Sequence, residues 1–289
     1  MSKTRRVSKK AKTTGAARKG YLATAISKRR TVKERVAAMA AAPLPVPENE
    51  DSLKATLNIL RDKDEPIEVR LAALQALQAA SFSVVAFEAA RGDYIATLRQ
   101  VAEDPNHEMR QRVLGMLARE KDGFAQKRLL EGLQHPEKAL LPPEKALQLL
   151  SYDVHSDAYP VARAIVAKPP NPAAKREALR LLAADATSAP LFEKVLRDKK
   201  EEPAIRQTAA AALHAVRPDR YHKQVREMLL DSSENEDLHA VALTALTNFG
   251  DAESITKDKA LLKRVARMSG EARPSVKKIA RHFMNKYSA

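Results

Sequence analysis

The chain of 289 residues contains no cysteine and no tryptophan. Without cysteine it can have no disulfide, no thiolate zinc site, no iron–sulfur cluster and no thiol nucleophile. Glycine (8 residues) and aromatic residues (4%) are scarce, whereas alanine and leucine are abundant, and this balance favours helices over strands. No apolar run approaches the roughly 20 residues that a membrane helix needs, so we expect no membrane span.

Positive charge is concentrated at the two ends of the chain, which carries a formal net charge of +15. Residues 1–35 contain 13 Lys and Arg and one acid, and residues 257–286 contain 10 Lys and Arg and two acids. Residues 36–256, in contrast, contain 33 acids and 28 Lys and Arg. The sequence therefore predicts a protein that is basic at both ends and mildly acidic in between.

Composition divides the chain into three segments. Residues 1–40 form a basic tail, of which the first 20 have almost nothing apolar to bury and are expected to be disordered. A helical signal from Tyr21 onwards indicates a marginal helix or one that forms on binding. Residues 41–50 contain three prolines in five residues and are predicted to be an extended linker. Residues 51–289 are predicted to form one repeat domain.

One pattern occurs seven times beyond the linker, most clearly as PIEVRLAALQAL from Pro66 to Leu77. It predicts pairs of helices, and a proline opens most of the second helices, where its missing N–H costs nothing. The predicted first helices are Leu53–Leu60, Tyr94–Val101, Ala125–Leu133, Ala158–Val166, Pro190–Leu196, Tyr221–Leu230 and Lys259–Met268. The second helices are predicted to begin near Pro66, Pro105, Pro142, Pro172, Pro203, Glu236 and Pro274.

Aligning the second helices produces three columns. The basic column is Arg70, Arg110, Pro143, Lys175, Arg206, His239 and Lys277, at intervals of 31 to 40 residues. Three places on stand Ala73, Val113, Ala146, Ala178, Ala209, Ala242 and Ala280, and seven places on stand Leu77, Leu117, Leu150, Leu182, Leu213, Leu246 and Met284. These offsets share one helix face, and a period in the thirties is the signature of stacked helical repeats. Only the third unit departs from the basic column, with Pro143.

The pattern P-x-x-[VI]-R-x-x-A-L-x-x-L, also recognisable in DPNHEMRQRVLGML and EEPAIRQTAAAAL, resembles the HEAT-repeat superfamily, including the short repeats of its bilin-lyase-like branch. The resemblance covers residues 51–287 as about seven units. It implies an all-α fold, an α-solenoid in which antiparallel helix pairs form a right-handed superhelix. It also implies that the basic column bonds an acid of an inter-helix turn, Asp64, Asp104 or Glu202, and so organises the stack.

Two kinds of binding surface are predicted. Lys and Arg clusters attract polyanions, whereas a groove that follows a phosphate backbone needs a positive stripe and stacking aromatics. The inner groove is mostly neutral and suits a protein partner. The polyanion-binding residues are predicted to be Arg5, Arg6, Lys9, Lys10, Lys12, Arg18, Lys19, Lys28, Arg29, Arg30, Lys263, Arg264, Arg267, Lys277, Lys278 and Arg281. The groove residues are predicted to be Gln75, Gln78, Gln111, Gln148, Arg176, Arg180, Gln207 and His214.

Catalytic and metal-binding patterns are not evident in the sequence. It shows no Ser/His/Asp set, phosphate-binding glycine loop or paired catalytic carboxylates. The seven histidines are dispersed, and His107–Glu108 is a single pair where the iron-binding HEAT hydroxylases need several. We therefore predict that the protein is not an enzyme and has no metal, no cofactor and no small-molecule ligand.

The predicted function is a non-catalytic adaptor that holds a protein partner in its repeats and attaches to nucleic acid or nucleoprotein through its basic ends. An alternative is a protein-only scaffold or assembly factor whose tail binds an acidic protein, and a bilin-lyase-like enzyme is a third. We expect the protein in the cytoplasm, a nucleoid or a nucleus. The N-terminus lacks the apolar core of a secretory signal, but its Arg- and Ser-rich composition is also compatible with an organellar transit peptide.

Overall fold

The structure is a computed structural model that describes residues 23–41, 50–154 and 156–287. All regular structure in these residues is helical, and the fold is an all-α solenoid, so the predicted fold class is confirmed. The chain divides into two compact units, Met1–Arg128 and Leu129–Ala289, and each unit is described by itself.

The first unit consists of helices α1 to α5 and the beginning of α6. Their bounds are Val32–Ala41 (α1), Glu50–Arg61 (α2), Ile67–Ser81 (α3), Val84–Val101 (α4), His107–Arg119 (α5) and Gly123–Gln134 (α6). Helix α3 packs against α1, α2 and α4, and α4 packs against α2 and α5. Each helix therefore covers the apolar face of a neighbour in sequence or in the adjacent pair, as a helical repeat requires.

The second unit contains the end of α6 and helices α7 to α16. Their bounds are Pro143–Leu150 (α7), Tyr159–Ala167 (α8), Pro172–Leu181 (α9), Ala189–Arg197 (α10), Pro203–Val216 (α11), Pro218–Leu230 (α12), Glu236–Phe249 (α13), Ala252–Lys257 (α14), Lys259–Glu271 (α15) and Pro274–Tyr287 (α16). The second helices pack on each other along the chain. Helix α9 packs against α7 and α11, α11 also contacts α13, and α13 packs against α16. Helices α8, α10, α12 and α15 pack on the second helix of their own pair.

The predicted starts of the second helices agree closely with the structure, because prolines and capping residues set them. Pro172 and Pro203 are the first residues of α9 and α11. The Asn171 side chain accepts the Ala174 N–H at 2.7 Å, and Asn106 caps α5 by accepting the Met109 N–H at 3.0 Å. These caps satisfy amides that have no partner within the helix.

The small and leucine columns form the core. All seven residues of the small column are at most 3% exposed, and the six leucines are at most 4% exposed. Met284, which takes the leucine position in the last unit, is half-buried. Alanine at one position and leucine a turn further on let a neighbouring helix approach closely while the larger side chain fills the space beside it.

Two arginines of the basic column each tie a repeat to the next, as the resemblance implied. Arg70 Nε donates to the Leu60 carbonyl at 3.1 Å, within its own hairpin, while Nη2 donates to Asp104 of the next repeat at 2.5 Å. Arg206 repeats this arrangement with the Leu196 carbonyl at 2.7 Å and the carboxylate of Glu234.

The acids of these pairs differ in part from the predicted ones. Asp104 is confirmed, but Asp64 and Glu202 make none of these pairs. The acids observed in their place are Glu65, Glu201 and Glu234, which pair with Arg35, Lys175 and Arg206. One residue along a turn changes the direction of the side chain, and sequence spacing alone does not fix that direction.

Residues 23–41 pack on the first unit before the predicted domain begins. Helix α1 contacts α3, and the buried Arg35 donates to the Ala25 carbonyl at 2.8 Å and to Glu65 at 2.6 Å. Arg35 thus repeats the pattern of Arg70, although the sequence placed it in the basic tail. The predicted disorder of residues 1–20 and most of the predicted linker 41–50 lie outside the described residues.

Two further local differences have clear causes. Residues 84–93 lengthen α4 at its start, so that it begins at Val84 and not near the predicted Tyr94. In the third unit Pro143 is the first residue of the eight-residue α7. A proline is tolerated at that position because the first helical N–H has no partner within the helix. The third unit therefore has no basic residue in the basic column.

Candidate functional site on the last helices

Helix α16 presents a basic face because its apolar residues are used for packing. Val276, Ala280, Phe283 and Tyr287 are buried and recur at intervals of three or four, which places them on one side. The remaining positions are free to carry polar groups. Four of them are Lys or Arg, and three of these, Lys277, Lys278 and Arg281, lie within little more than one turn.

These cations line an open depression of 390 Å³. Its lining residues are Pro274, Lys277, Lys278, Arg281, His282 and Asn285, with no carboxylate among them. Lys278 and Arg281 are exposed and Lys277 is half-buried. Like charges this close repel one another, so an anion that binds among them relieves an unfavourable field.

Cations elsewhere in the described chain commonly have acidic partners. The hydrogen bond between Arg226 and Asp258 raises the pKa of the guanidinium and lowers the pKa of the carboxyl. Lys199 likewise lowers the pKa of Asp231 through a hydrogen bond, to which Ser233 adds. Among the described ion pairs none involves Lys277, Lys278 or Arg281, so the α16 face keeps its charge available.

The other predicted polyanion-binding residues are not all in this depression. Lys263 and Arg267 are exposed on α15, while Arg264 Nε donates to the Leu229 carbonyl at 3.0 Å and serves the fold. Of the tail residues that are described, Arg29 is exposed, and the other two have acidic partners. Arg5, Arg6, Lys9, Lys10, Lys12, Arg18 and Lys19 lie outside the described residues.

Lys28 and Arg30 contact acids of the first unit. Lys28 Nζ lies 3.1 Å from Asp62 and 3.8 Å from Glu65, and the hydrogen bond with Asp62 raises the pKa of Lys28. Arg30 lies 3.5 Å from Glu34. The Lys28 side chain is nonetheless 66% exposed, and exposed pairs of this kind contribute little and are weakened by salt.

The predicted groove residues are distributed over both units. In the first unit Gln75 is exposed, and Gln78 and Gln111 are half-buried. In the second unit Gln148 is exposed, Gln207 and Arg176 are half-buried, and Arg180 pairs with Glu177. His214 is the one that meets other aromatic rings.

An apolar pocket of 350 Å³ surrounds His214. The His214 ring centroid lies 5.0 Å from that of Tyr221 and 5.1 Å from that of Phe249, and the rest of the lining is Ala240, Val241, Thr244 and Ala245. Burial raises the pKa of Tyr221 to about 12, so its hydroxyl stays neutral. Phe249 is 61% exposed.

Phe249 was not predicted as a site residue. It lies at the end of α13, after the last of the three aligned columns, and therefore outside the repeat pattern. The available signal was chemical: one of only 6 phenylalanines stands beside Gly250, at a helix end where solvent exposure is common.

No family model matches the chain, and no curated protein does. Two solved structures are similar to it at a low level. Human deoxyhypusine hydroxylase in complex with glycerol aligns over 83% of this chain and 96% of its own, with 14% identity and a TM-score of 0.34. The complex of CpcE and CpcF of phycocyanin lyase from Nostoc sp. PCC7120 aligns over 92% of each chain, with 16% identity and a TM-score of 0.26. At these identities and TM-scores neither similarity carries an argument about the family or the function of this chain.

One prediction has to be corrected on these findings. Because no catalytic pattern is evident in the sequence, we predicted that the chain is not an enzyme. This prediction is wrong, since the two similar structures are of a hydroxylase and a lyase. The described residues contain no group of three or more His, Cys, Asp or Glu side chains that could hold a metal ion. Within the same residues no helix is long and apolar enough to cross a membrane.

Proposed function

We propose that this chain is a HEAT-like adaptor of about seven short repeats that binds a polyanion, nucleic acid or nucleoprotein, through its basic tail and the α15–α16 hairpin. The exposed faces of the second helices hold a protein partner. The observation that supports this most directly is the depression on α16, in which Lys277, Lys278 and Arg281 stand together without a carboxylate.

Polyanion binding by such a face is electrostatic and depends strongly on salt. Each phosphate contact releases condensed counterions, so the logarithm of the binding constant falls with the logarithm of salt concentration by about 0.9 per contact on duplex DNA. The three α16 cations alone would give a slope of about −3, and Lys263 and Arg267 on α15 add to it.

Retention on random-sequence DNA and RNA, measured across a salt series, tests the proposal. We expect the double variant K278E/R281E to bind less tightly and with a slope about 2 units smaller. The matched control is K194E/K223E, which reverses two exposed lysines on α10 and α12. If the two variants bind polynucleotide equally, the α16 face does not carry the interaction.

The tail is tested by a separate deletion variant, and the structure determines the last residue to remove. Because residues 23–41 pack on the first unit, the deletion should remove residues 1–22 only. We expect this deletion to weaken polynucleotide binding further while the unfolding free energy is unchanged. Unchanged affinity would show that the N-terminal cations have another role.

A protein-only scaffold is the second candidate, and the tail itself favours it. Lys28 and Arg30 already contact acids of this chain, and these contacts show that carboxylates suit the tail's cations. Nuclease-treated affinity purification from the native source distinguishes the two. A stoichiometric protein partner without polynucleotide supports the scaffold, whereas nuclease-sensitive recovery supports the polyanion-binding adaptor.

A further inference from the structure

The apolar pocket and the basic depression lie on neighbouring helices that run parallel. At the starts of α13 and α16, Arg273 Nε lies 3.1 Å from the Glu236 carboxylate. At their ends, Lys286 Nζ donates to the Thr247 carbonyl at 2.5 Å and the Tyr287 hydroxyl donates to the Leu246 carbonyl at 3.0 Å. Contacts at both ends fix the register between the two helices.

This register brings the two cavities side by side. The contacts join residues 37 to 41 positions apart in the sequence, so Thr244 of α13 and His282 of α16 take equivalent places. Thr244 lines the apolar pocket, and His282 lines the basic depression. Packed helices lie about 8–10 Å apart, so we expect the two cavities to be separated by about one helix spacing.

The apolar pocket is suited to a hydrophobic side chain. Ala240, Val241 and Ala245 form part of its lining, and the Thr244 hydroxyl already donates to the Ala240 carbonyl at 2.8 Å. Phe249 is 61% exposed and so has apolar surface available for contact. An aromatic or large aliphatic group placed there buries apolar area on both partners.

The basic depression determines the charge of the ligand. A cation in the aromatic pocket would be repelled by Lys278 and Arg281 about one helix spacing away, which argues against an aromatic cage for a quaternary ammonium. Carboxylates gain from the same two side chains, and Arg281 can bind one with two hydrogen bonds.

We propose that α13 and α16 together bind an acidic linear segment of a protein partner, with an aromatic or large aliphatic anchor in the His214–Phe249 pocket and carboxylates on Lys278 and Arg281. An extended chain rises about 3.3 Å per residue, so the anchor and the acids are three to four residues apart. The proposal rests on the proposed function, because it names the class of protein partner that the second-helix faces hold.

A single-stranded nucleic acid fits this surface less well. Continuous binding of a strand uses successive aromatic platforms along a positive groove. Here Phe249 is the one large aromatic ring of the pocket that is mostly exposed, since Tyr221 is buried and His214 is half-buried. The depression on α16 has no Phe or Tyr in its lining. The cations and the apolar anchor site are therefore side by side and do not alternate.

The test uses the full chain and synthetic twelve-residue peptides labelled for fluorescence anisotropy. In one peptide, Glu residues stand three and four positions after a Phe, and all other positions are Gly or Ser. In a second peptide, the two Glu residues stand four and three positions before the Phe. Two comparison peptides replace Phe by Ala or both Glu by Gln. We expect one of the two orders to bind, and each comparison peptide to bind about tenfold less tightly.

Protein variants locate the peptide on the surface. We expect F249A to lower the affinity for the Phe peptide about tenfold and to leave the affinity for the Ala peptide unchanged. K278E/R281E should lower the affinity for the Phe peptide by a similar factor. The matched control is F82A, which removes another exposed phenylalanine, 78% exposed in the first unit, and should change nothing. Circular dichroism confirms that each variant is folded.

Three results would overturn the proposal. One is equal affinity for the Phe and Ala peptides in both orders. Another is displacement of the peptide by oligo(dT) together with weaker oligo(dT) binding by F249A, which would assign the surface to nucleic acid. The third is a concentration-dependent dimer in sedimentation that F249A abolishes, which would assign the pocket to a second copy. A different result would contradict the proposed function alone. In that case the peptides bind as expected, but neither polynucleotide nor a native protein partner is retained.

Discussion

Arg206 and Glu234 form a buried bidentate ion pair between neighbouring repeats, with Nη1···Oε1 at 2.7 Å and Nη2···Oε2 at 2.5 Å. Both side chains are 4% exposed. Because Arg206 Nε also donates to the Leu196 carbonyl at 2.7 Å, one guanidinium connects its own hairpin to the next. The pair compensates for desolvation with good geometry and with additional hydrogen bonds, which is the condition under which a buried charge is tolerated.

Removing the acid should be strongly destabilising. Glu234→Ala leaves the Arg206 guanidinium buried without a counterion, and we expect the free energy of unfolding to fall by about 3–5 kcal/mol. Urea denaturation measures this. Glu227→Ala is the control, since its side chain is 47% exposed and lies 3.6 Å from Arg197, and should cost under about 1 kcal/mol. Equal losses in the two variants would show that the buried pair does not stabilise the stack.

The same carboxyl makes stability depend on pH. Burial alone would raise the pKa of Glu234, but hydrogen bonds from Arg206 and the Asn235 N–H outweigh it, so the pKa is lower than its ordinary 4.5. A lowered folded pKa means that the stabilisation is complete above 4.5 and is lost as the pH falls through the folded value. We expect unfolding free energy to drop below pH 4.5, and to drop less steeply in Glu234→Gln. Identical pH profiles for both proteins would contradict this assignment.

The leucine column should show large losses on truncation. Leu182 and Leu213 are fully buried, and replacing either by Ala leaves a cavity that costs about 2–5 kcal/mol. Val85→Ala is a suitable comparison, because Val85 is 93% exposed and should change stability by less than about 0.5 kcal/mol. Chemical denaturation of the three variants gives the ordering. Losses below about 1 kcal/mol at both leucines would mean that the repeats do not pack through this column.

Most of the fold was predictable from the sequence, because prolines and leucines act locally. A proline such as Pro203 presets the backbone and marks the start of its helix, and a leucine such as Leu213 must be covered by the neighbouring repeat. A helix was predicted from Tyr21 onwards, but its packing against α3 was not. No proline opens α1, and Arg35 resembles the other basic residues of the tail until its burial against Glu65 is seen.

The site was predictable only in part. The cations of α16 follow from sequence, because their number and spacing are visible there, and the structure brings Lys277, Lys278 and Arg281 into one depression. The pocket around Phe249 did not follow, since it joins residues of α11, α12 and α13. The distance between such residues depends on tertiary packing, and no repeat offset encodes it.

Truncation of the N-terminus separates the structural role of residues 23–41 from the binding role that we propose for the tail. Deleting residues 1–22 should leave the unfolding free energy unchanged, whereas deleting residues 1–41 removes α1 from α3 and leaves the buried Glu65 without Arg35 and Lys28. We expect the longer deletion to lower the free energy of unfolding by at least about 3 kcal/mol, the cost of leaving one partner of a buried ion pair alone. Arg35→Met should reproduce most of the loss, and Arg29→Met, at an exposed position, should not. If both deletions unfold at the same urea concentration, α1 contributes nothing to the folded array, and the repeats begin beyond residue 50.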